Sequence, residues 1–437
     1  MSNKQTVKES SVRSSNSPLS RRVIPYKWEL IILLWLAFFL HQADRQIFNN
    51  LAPLIMSDLG LTKVQFGLIG TIFTIVVGIM VPLSGYAGDT LSRKWVVLLS
   101  ILVFSTATLI TGFSTGLVML IIFRSIATSG SEAFYYPSAN SLISQYHHKT
   151  RAMGMAIHQT AQYVGIVASS FAATVGQVYG WRYAFFVFGI LGIVLAGVIL
   201  RRMHDTPIPT TTGGANSPPD RGPSVGEVLR YIFSKRTVLI LSVSFAGMVF
   251  VNIGYLTWMP TFMHVRFALR LDTASFLALF CHYVTAFVGV TVGGKLSDRF
   301  ALRHRSARMH FNYIGLLLGA PFIWWMGQTG SVALCCIALA GFGVFRGVYD
   351  SNLFAAPFDV IDPRYRSSAV GLMISFAFIM SASSPTLLAL IARELNMGAA
   401  ISSMGIVYLV SGLFVIVALC TTFEREYYEE PKEEPEL

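Results

Sequence analysis

The chain has 437 residues, 54% of them hydrophobic and only 13% charged, with a mean hydropathy of +0.59 and a net charge of +11. Soluble domains carry roughly 25% charged residues, so an ordinary soluble enzyme or binding module is excluded. Apolar runs of about 20 residues recur along the sequence, which marks a polytopic membrane protein, and the positive charge then reports loop topology and not nucleic-acid binding.

Met1 to Ser20 is polar and Ser-rich, without the apolar run or cleavage site of a signal peptide. Residues 1–27 are expected to be a disordered cytoplasmic tail, with Arg21, Arg22 and Lys27 holding the first helix end on that side. Six spans are predicted at about 28–55, 64–87, 94–113, 115–145, 152–178 and 181–200, forming an N-terminal half over 28–201. Thr206 to Ser224 is rich in Pro, Gly and Thr and reads as a linker. Val225 to Arg236 reads as a short amphipathic surface helix, so 202–237 is assigned to the cytoplasmic connection. Six more spans are predicted at about 238–264, 273–296, 309–327, 331–358, 367–391 and 398–422, a C-terminal half over 238–422. Residues 423–437 form an acidic tail, with seven Glu against Arg425 and Lys432.

Basic residues fix the orientation. Arg93, Lys94, Lys149, Arg151, Arg201, Arg202, Arg299, Arg303, Arg305, Arg308, Arg364 and Arg366 fall in alternate loops, and the opposite loops are poor in them. Both termini are therefore expected in the cytoplasm, with the protein in the inner (plasma) membrane of a bacterium. Cys281, Cys335, Cys336 and Cys420 lie in apolar segments without metal-ligand spacing and read as small buried hydrophobes. No cofactor or metal is expected, and no nucleotide loop or catalytic grouping supports an enzyme.

Charges within the apolar runs are the informative exceptions. Asp44 and Arg45 stand inside the first span, where a charge costs on the order of 3 kcal/mol on insertion scales. Such a pair points to a polar cavity within a helix bundle. His41 lies three and four residues before them, so the three can share a face. The fourth span carries Arg124, Thr128 and Glu132 at helical spacing, and the tenth carries Arg346 and Asp350 one turn apart, followed by Asn352. Arg346 and Asp350 fit a self-satisfied pair bracing the second half. His158, Gln159, Gln162 and Tyr163 form a polar set on span five. Asn252, Tyr255 and Trp258 do so on span seven, and His282 and Tyr283 on span eight. Gln159 and Tyr255 are the strongest of these as hydrogen-bonding groups for a polyol, although polar side chains also bridge helices.

The halves echo one another. Gly85 to Asp89 (GYAGD) ends span two, and Gly294 to Asp298 (GKLSD) ends span eight. With Thr90, Ser92, Arg93 and Lys94, the first copy resembles the G-x3-D-R/K-x-G-R/K-R/K loop of the major facilitator superfamily, departing at Thr90 and Ser92; the second keeps Asp298 and Arg299. Within that superfamily, Ala43-Asp44-Arg45-Gln46 and the run from Arg124 through Gly130, Glu132 and Ala133 to Pro137 resemble two branches. These are the anion:cation symporters and the Spinster-like carriers. Arg124 and Glu132 are eight residues apart where those branches have seven, which on a regular helix turns one away from the other by about 100°.

The resemblance implies an all-α protein of twelve transmembrane helices in two six-helix halves, working as a monomer on a small anion and protons. Arg45 and Arg124 are the candidate cations for a carboxylate, since Arg stays charged and offers a bidentate fork. Asp44 and Glu132 are the carboxylates on which the resemblance puts the coupling proton. An anion drawing Arg away would favour their protonation. Asp89, Arg93, Lys94, Asp298 and Arg299 are expected to form a cytoplasmic gate latch. A Spinster-like lipid or amphiphile exporter would instead want a lateral apolar opening, and a sensor on the same scaffold a sizeable soluble domain.

Overall fold

A computed structural model describes residues 25–147, 150–204 and 225–428, without the side chains of 85–90, 151, 152, 225 and 367. The expected N-terminal tail up to residue 24, the Pro/Gly/Thr linker at 205–224 and the acidic end beyond 428 lie outside the described residues.

The bundle is built from α1 (Tyr26–Asn50), α2 (Lys63–Thr90), α3 (Arg93–Thr111), α4 (Leu117–Tyr146), α5 (Arg151–Ala168 with Phe171–Tyr179) and α6 (Trp181–Arg202) in the first half. The second holds α7 (Arg236–Phe267), α8 (Leu271–Ala301), α9 (Ala307–Gln328), α10 (Val332–Phe358), α11 (Arg366–Ser381 with Ser384–Glu394) and α12 (Met397–Glu426). Among the described residues ten of these are long and apolar enough to cross a membrane, all but α5 and α9. The surface helix stands at Val225–Ser234, where Val228 and Ile232 are buried and Tyr231 stacks on Tyr365.

Local breaks and one boundary depart from the expected continuous spans. The first span stops at Leu51; a separate helix, Ala52–Leu59, starts with Pro53 near its N-terminus and ends at Gly60 with φ +63°, a conformation open to glycine without a side-chain penalty. α5 breaks at Ser169 and Ser170. Their hydroxyls donate back to Ile166 and Val167 carbonyls, and Asn50 Nδ2 donates to Ser169 Oγ at 2.8 Å. Those bonds satisfy polar groups that lipid could not. The C-terminal tail also starts later than 423. Glu426, still in helix, accepts from Arg236 N and Thr237 N at 2.9 Å each, an anionic cap on the first turn of α7.

Close helix approach depends on small residues, as expected where no water drives association. A Cβ on Gly189 of α6 would sit 2.8 Å from Leu109 of α3, and one on Gly347 would meet the α8 backbone at Ala286 and Val290. Gly343 likewise faces α8, and Gly341 faces Phe322 of α9.

Contacts between the halves run from mid-depth to the end opposite the termini. Ser375 Oγ donates to Gly78 O at 2.7 Å, Thr71 and Thr386 hydroxyls meet at 2.9 Å, and the Phe66 and Trp258 rings lie 5.8 Å apart. A Cβ on Gly67 would fall 2.7 Å from Pro385 O and 2.9 Å from Thr386 Cα, both backbone. Gly67→Val is therefore expected to force α2 and α11 apart at that end. A cysteine placed at Thr386 should then label several times faster with an impermeant maleimide than in the wild-type background. Equal rates would contradict the tight closure.

Candidate functional site: a charged cavity between the halves

A cavity of about 180 Å³ lies at mid-depth between the halves. On α1 it is lined by Gln42, Arg45, Gln46 and Asn49, positions spaced i, i+3, i+4, i+7 that share one helix face. Phe73, Arg124 and Gln162 also stand in the first half's wall. Asn252, Thr257, Tyr283, Arg346 and Phe378 supply the second.

Three arginines reach this space, and they differ in what holds them. Arg124, 2% exposed, donates Nη1 to Asp44 Oδ2 at 3.0 Å and Nη2 to the Asp44 and Arg45 carbonyls at 3.0 and 2.9 Å. Thr108 Oγ1 donates to the other Asp44 oxygen at 2.8 Å. The fork of Arg124 is thus engaged by α1, and Asp44 is a paired, hydrogen-bonded carboxylate. The nearest acceptors of Arg124 are therefore intramolecular, and an anion would have to compete with Asp44 for this candidate cation. Arg346 is held in parallel, with Nε 3.3 Å from Asp350 Oδ2 and Nη1 donating to Asn252 Oδ1. The pairing with Asp350 is the expected one, but Arg346 also lines the cavity. In each half, an arginine of the fourth helix bonds a residue of the first. Arg45 differs. Among the described residues it has no ion pair, and its guanidinium lies over Phe73 and Phe378 at 5.2 and 5.6 Å.

The extra residue between Arg124 and Glu132 is absorbed by the backbone. Ile121–Thr128 is a π-helix, and Thr128 Oγ1 donates to Phe123 O, five residues back. A π segment holds one more residue per turn than an α-helix. The 100° rotation expected from a regular helix therefore does not occur, and both charged residues face α1: Arg124 meets Asp44, and Glu132 lies 3.7 Å from His41 Nε2. His41, Asp44 and Arg45, which the spacing allowed to share one face, point to different surroundings. His41 and Asp44 turn into the first half, Arg45 into the cavity. Glu132 is 3% exposed, and neither carboxyl oxygen has a hydrogen-bond partner among the described residues.

Other candidates fall elsewhere. Gln159 is tied to Tyr136 at 3.2 Å and Gln162 at 2.8 Å and does not line the cavity; Gln162, one turn on, does. Tyr255 is fully buried and donates to Ala278 O, and Trp258 Nε1 donates to Pro385 O, so both brace helices. Asn252, one turn before Tyr255, takes the cavity position. His158 meets Tyr135 OH at 3.1 Å, and His282 is buried among Tyr255, Tyr283 and Phe342. Gln42, Gln46 and Asn49 were not singled out from sequence, although their shared spacing with Arg45 carried the signal. At the terminus-bearing end, the Asp89 side chain lies outside the described residues. Arg93 donates to Gln145 at 3.0 Å, Lys94 lies over Trp95, Asp298 is 3.7 Å from Arg308 and Arg299 is exposed. Among the described residues, the partners of Arg93, Lys94 and Asp298 lie in their own half, not across a closed latch.

Two helical halves closing on a charged cavity at mid-depth define the class of major-facilitator-type membrane carriers. The Major Facilitator Superfamily profile matches residues 34–385, and the chain belongs to that superfamily. The chain is 27% identical over 357 residues to a probable sulfoacetate transporter, SauU, of Cupriavidus necator, covering 78% of this chain and 81% of that one. It is 25% identical to the membrane sensor protein UhpC of Salmonella typhimurium, over 73% of this chain and 75% of that one. Among solved structures, a bacterial homologue of the lysosomal transporter Spinster, inward-facing and unoccupied, superposes with a TM-score of 0.81 at 19% identity, covering 93% of this chain and 99% of that one.

Proposed function

We propose that this protein is a secondary active transporter with twelve spans and cytoplasmic termini. It moves a small organic anion, a sugar acid or related carboxylate, together with protons by alternating access of the two halves. The observation that carries the reading is Arg45: among the described residues it has no ion pair, it faces a cavity between the halves, and one turn earlier on α1 His41 lies 3.7 Å from Glu132, a buried carboxyl without a hydrogen-bond partner among those residues. Arg45 takes the carboxylate. Gln42, Gln46, Asn49, Gln162 and Asn252 offer amide groups to a polyhydroxylated body. Glu132 holds the coupling proton, and Asp44 becomes a second acceptor when the anion draws Arg124 away from it. Asp89, Arg93, Lys94, Asp298 and Arg299 act as the latch of the terminus-bearing end in the alternate state.

The test is uptake into proteoliposomes of a panel of sugar acids plus sulfoacetate, with and without an inward proton gradient. Accumulation of no acid under either condition sinks the reading and favours a sensor. For an acid that is taken up, Arg45→Lys keeps the charge and loses the planar fork. A lost charged hydrogen bond is worth roughly 1.5–3 kcal/mol, so transport should fall by about tenfold or more at equal protein density. Unchanged transport removes Arg45 from the site.

One observation favours a second reading, a Spinster-like carrier of amphiphiles. An apolar cleft of about 410 Å³ lies between α5 and α8, lined by Tyr163, Val164, Phe276, Phe280 and Phe287, and Tyr283 borders both it and the charged cavity. Filling the cleft with Val164→Trp separates the two. It should leave sugar-acid uptake intact, whereas an amphiphile carrier should lose transport of a fluorescent lysophospholipid.

A further inference from the structure

His41 stands between two groups that differ in their access to the cavity. Its Nδ1 lies 3.3 Å from Gln42 Nε2, and its Nε2 lies 3.7 Å from Glu132 Oε2. Gln42 lines the cavity, whereas Glu132 is buried away from it. The imidazole sits among Phe38, Phe104 and Tyr135, with ring centroids 5.7–5.8 Å away. The titratable and charged groups around the pair are Asp44 and Arg45 of α1, Arg124 and Tyr135 of α4, and His158 of α5. Asp44 and Arg124 bond each other, and Tyr135 OH donates to Leu34 O. None of these groups bonds a His41 nitrogen.

That geometry selects a tautomer. The Gln42 amide nitrogen donates, so Nδ1 accepts, and a neutral imidazole carries its hydrogen on Nε2. The Nε2–H group faces the Glu132 carboxylate, and closing the gap to about 3 Å completes a hydrogen bond.

Resting on the reading of Glu132 as the coupling carboxyl, we infer that His41 is a relay that ties the proton on Glu132 to the orientation of the Gln42 amide in the cavity. A proton arriving from cavity water bonds to Nδ1. The Nε2–H bond breaks, and its proton bonds to a Glu132 oxygen. One O–H bond of a hydronium ion in the cavity breaks as the Nδ1–H bond forms, the Nε2–H bond breaks as the O–H bond on Glu132 forms, and the imidazole ends neutral with its hydrogen on Nδ1. Gln42 now faces a donor, so it turns its carbonyl to the ring and its NH2 group into the cavity, on the same face of α1 as Arg45. An anion held at Arg45 gains that amide donor only while Glu132 is protonated, which is the sign that symport requires.

The test needs no substrate. Infrared difference spectra of the full-length protein in nanodiscs are recorded across a pH titration. The protonated-carboxyl band that Glu132→Gln removes reports Glu132, and the amide band that Gln42→Leu removes reports Gln42. In wild type both bands should change with one midpoint. In His41→Phe, which keeps the aromatic packing and deletes both nitrogens, Glu132 should still titrate while the Gln42 band stays fixed; His41→Asn serves where the Phe variant is not monodisperse. A Gln42 band that stays fixed in wild type while Glu132 titrates overturns the relay alone, as does a Gln42 band that follows Glu132 without the imidazole. A Glu132 band that never titrates removes the coupling reading and the relay together.

Discussion

Glu132→Gln is expected to abolish accumulation driven by a proton gradient and to leave counterflow exchange of the same acid nearly intact. The amide is close to isosteric with a protonated carboxyl, so the variant is held in the proton-bound form. Burial beside His41 of α1 without a hydrogen-bond partner among the described residues makes a permanent carboxylate costly there, and a neutral side chain relieves that cost. The anion site at Arg45 keeps its charge, so binding and exchange proceed. Net uphill transport needs the carrier to return after releasing its proton, and the amide has none to release. Accumulation should fall to the equilibrated level, while counterflow stays within about twofold of wild type. The comparison is made in the same vesicles. A Gln variant that still concentrates substrate places the coupling site elsewhere, and Asp44 becomes the first candidate.

The fold class was readable because hydropathy, loop charge and the repeated GYAGD and GKLSD segments all point to one architecture. Pairing was less so. The Asp44–Arg45 dipeptide flags a polar interior, but adjacent residues on a helix point about 100° apart, and sequence does not say which one meets the cavity. The structure gives Asp44 to Arg124 and leaves Arg45 open. The eight-residue spacing from Arg124 to Glu132 misled for a definite reason. A period of 3.6 does not hold through Ile121–Thr128, where the chain is π-helical. Tyr255 and Gln159 have the chemistry of a polyol site, but their neighbours Asn252 and Gln162 hold the cavity positions because of rotation about the helix axis.

Arg124→Leu is expected to be the most destabilising single change in the site. Removing one partner of a buried pair costs about 3–5 kcal/mol, because the remaining charge is left uncompensated. Here Asp44 would keep Thr108 and lose the guanidinium, and the carbonyls of Asp44 and Arg45 would lose their donor as well. Asp44 can escape part of the cost by taking up a proton, so the loss should be greater at pH 8 than at pH 5. Adding Asp44→Asn to Arg124→Leu removes the stranded charge and should recover much of the lost stability. Transport should not return, since the double variant can no longer trade Arg124 between Asp44 and the anion. The measurement is thermal unfolding of purified protein at both pH values, followed by the elution of monodisperse material. A single variant that melts with wild type at pH 8 would show that Arg124 does not hold α4 to α1. A double variant that transports at wild-type rate would show that the pair is only structural, leaving Arg45 and Glu132 to account for both the anion and the proton.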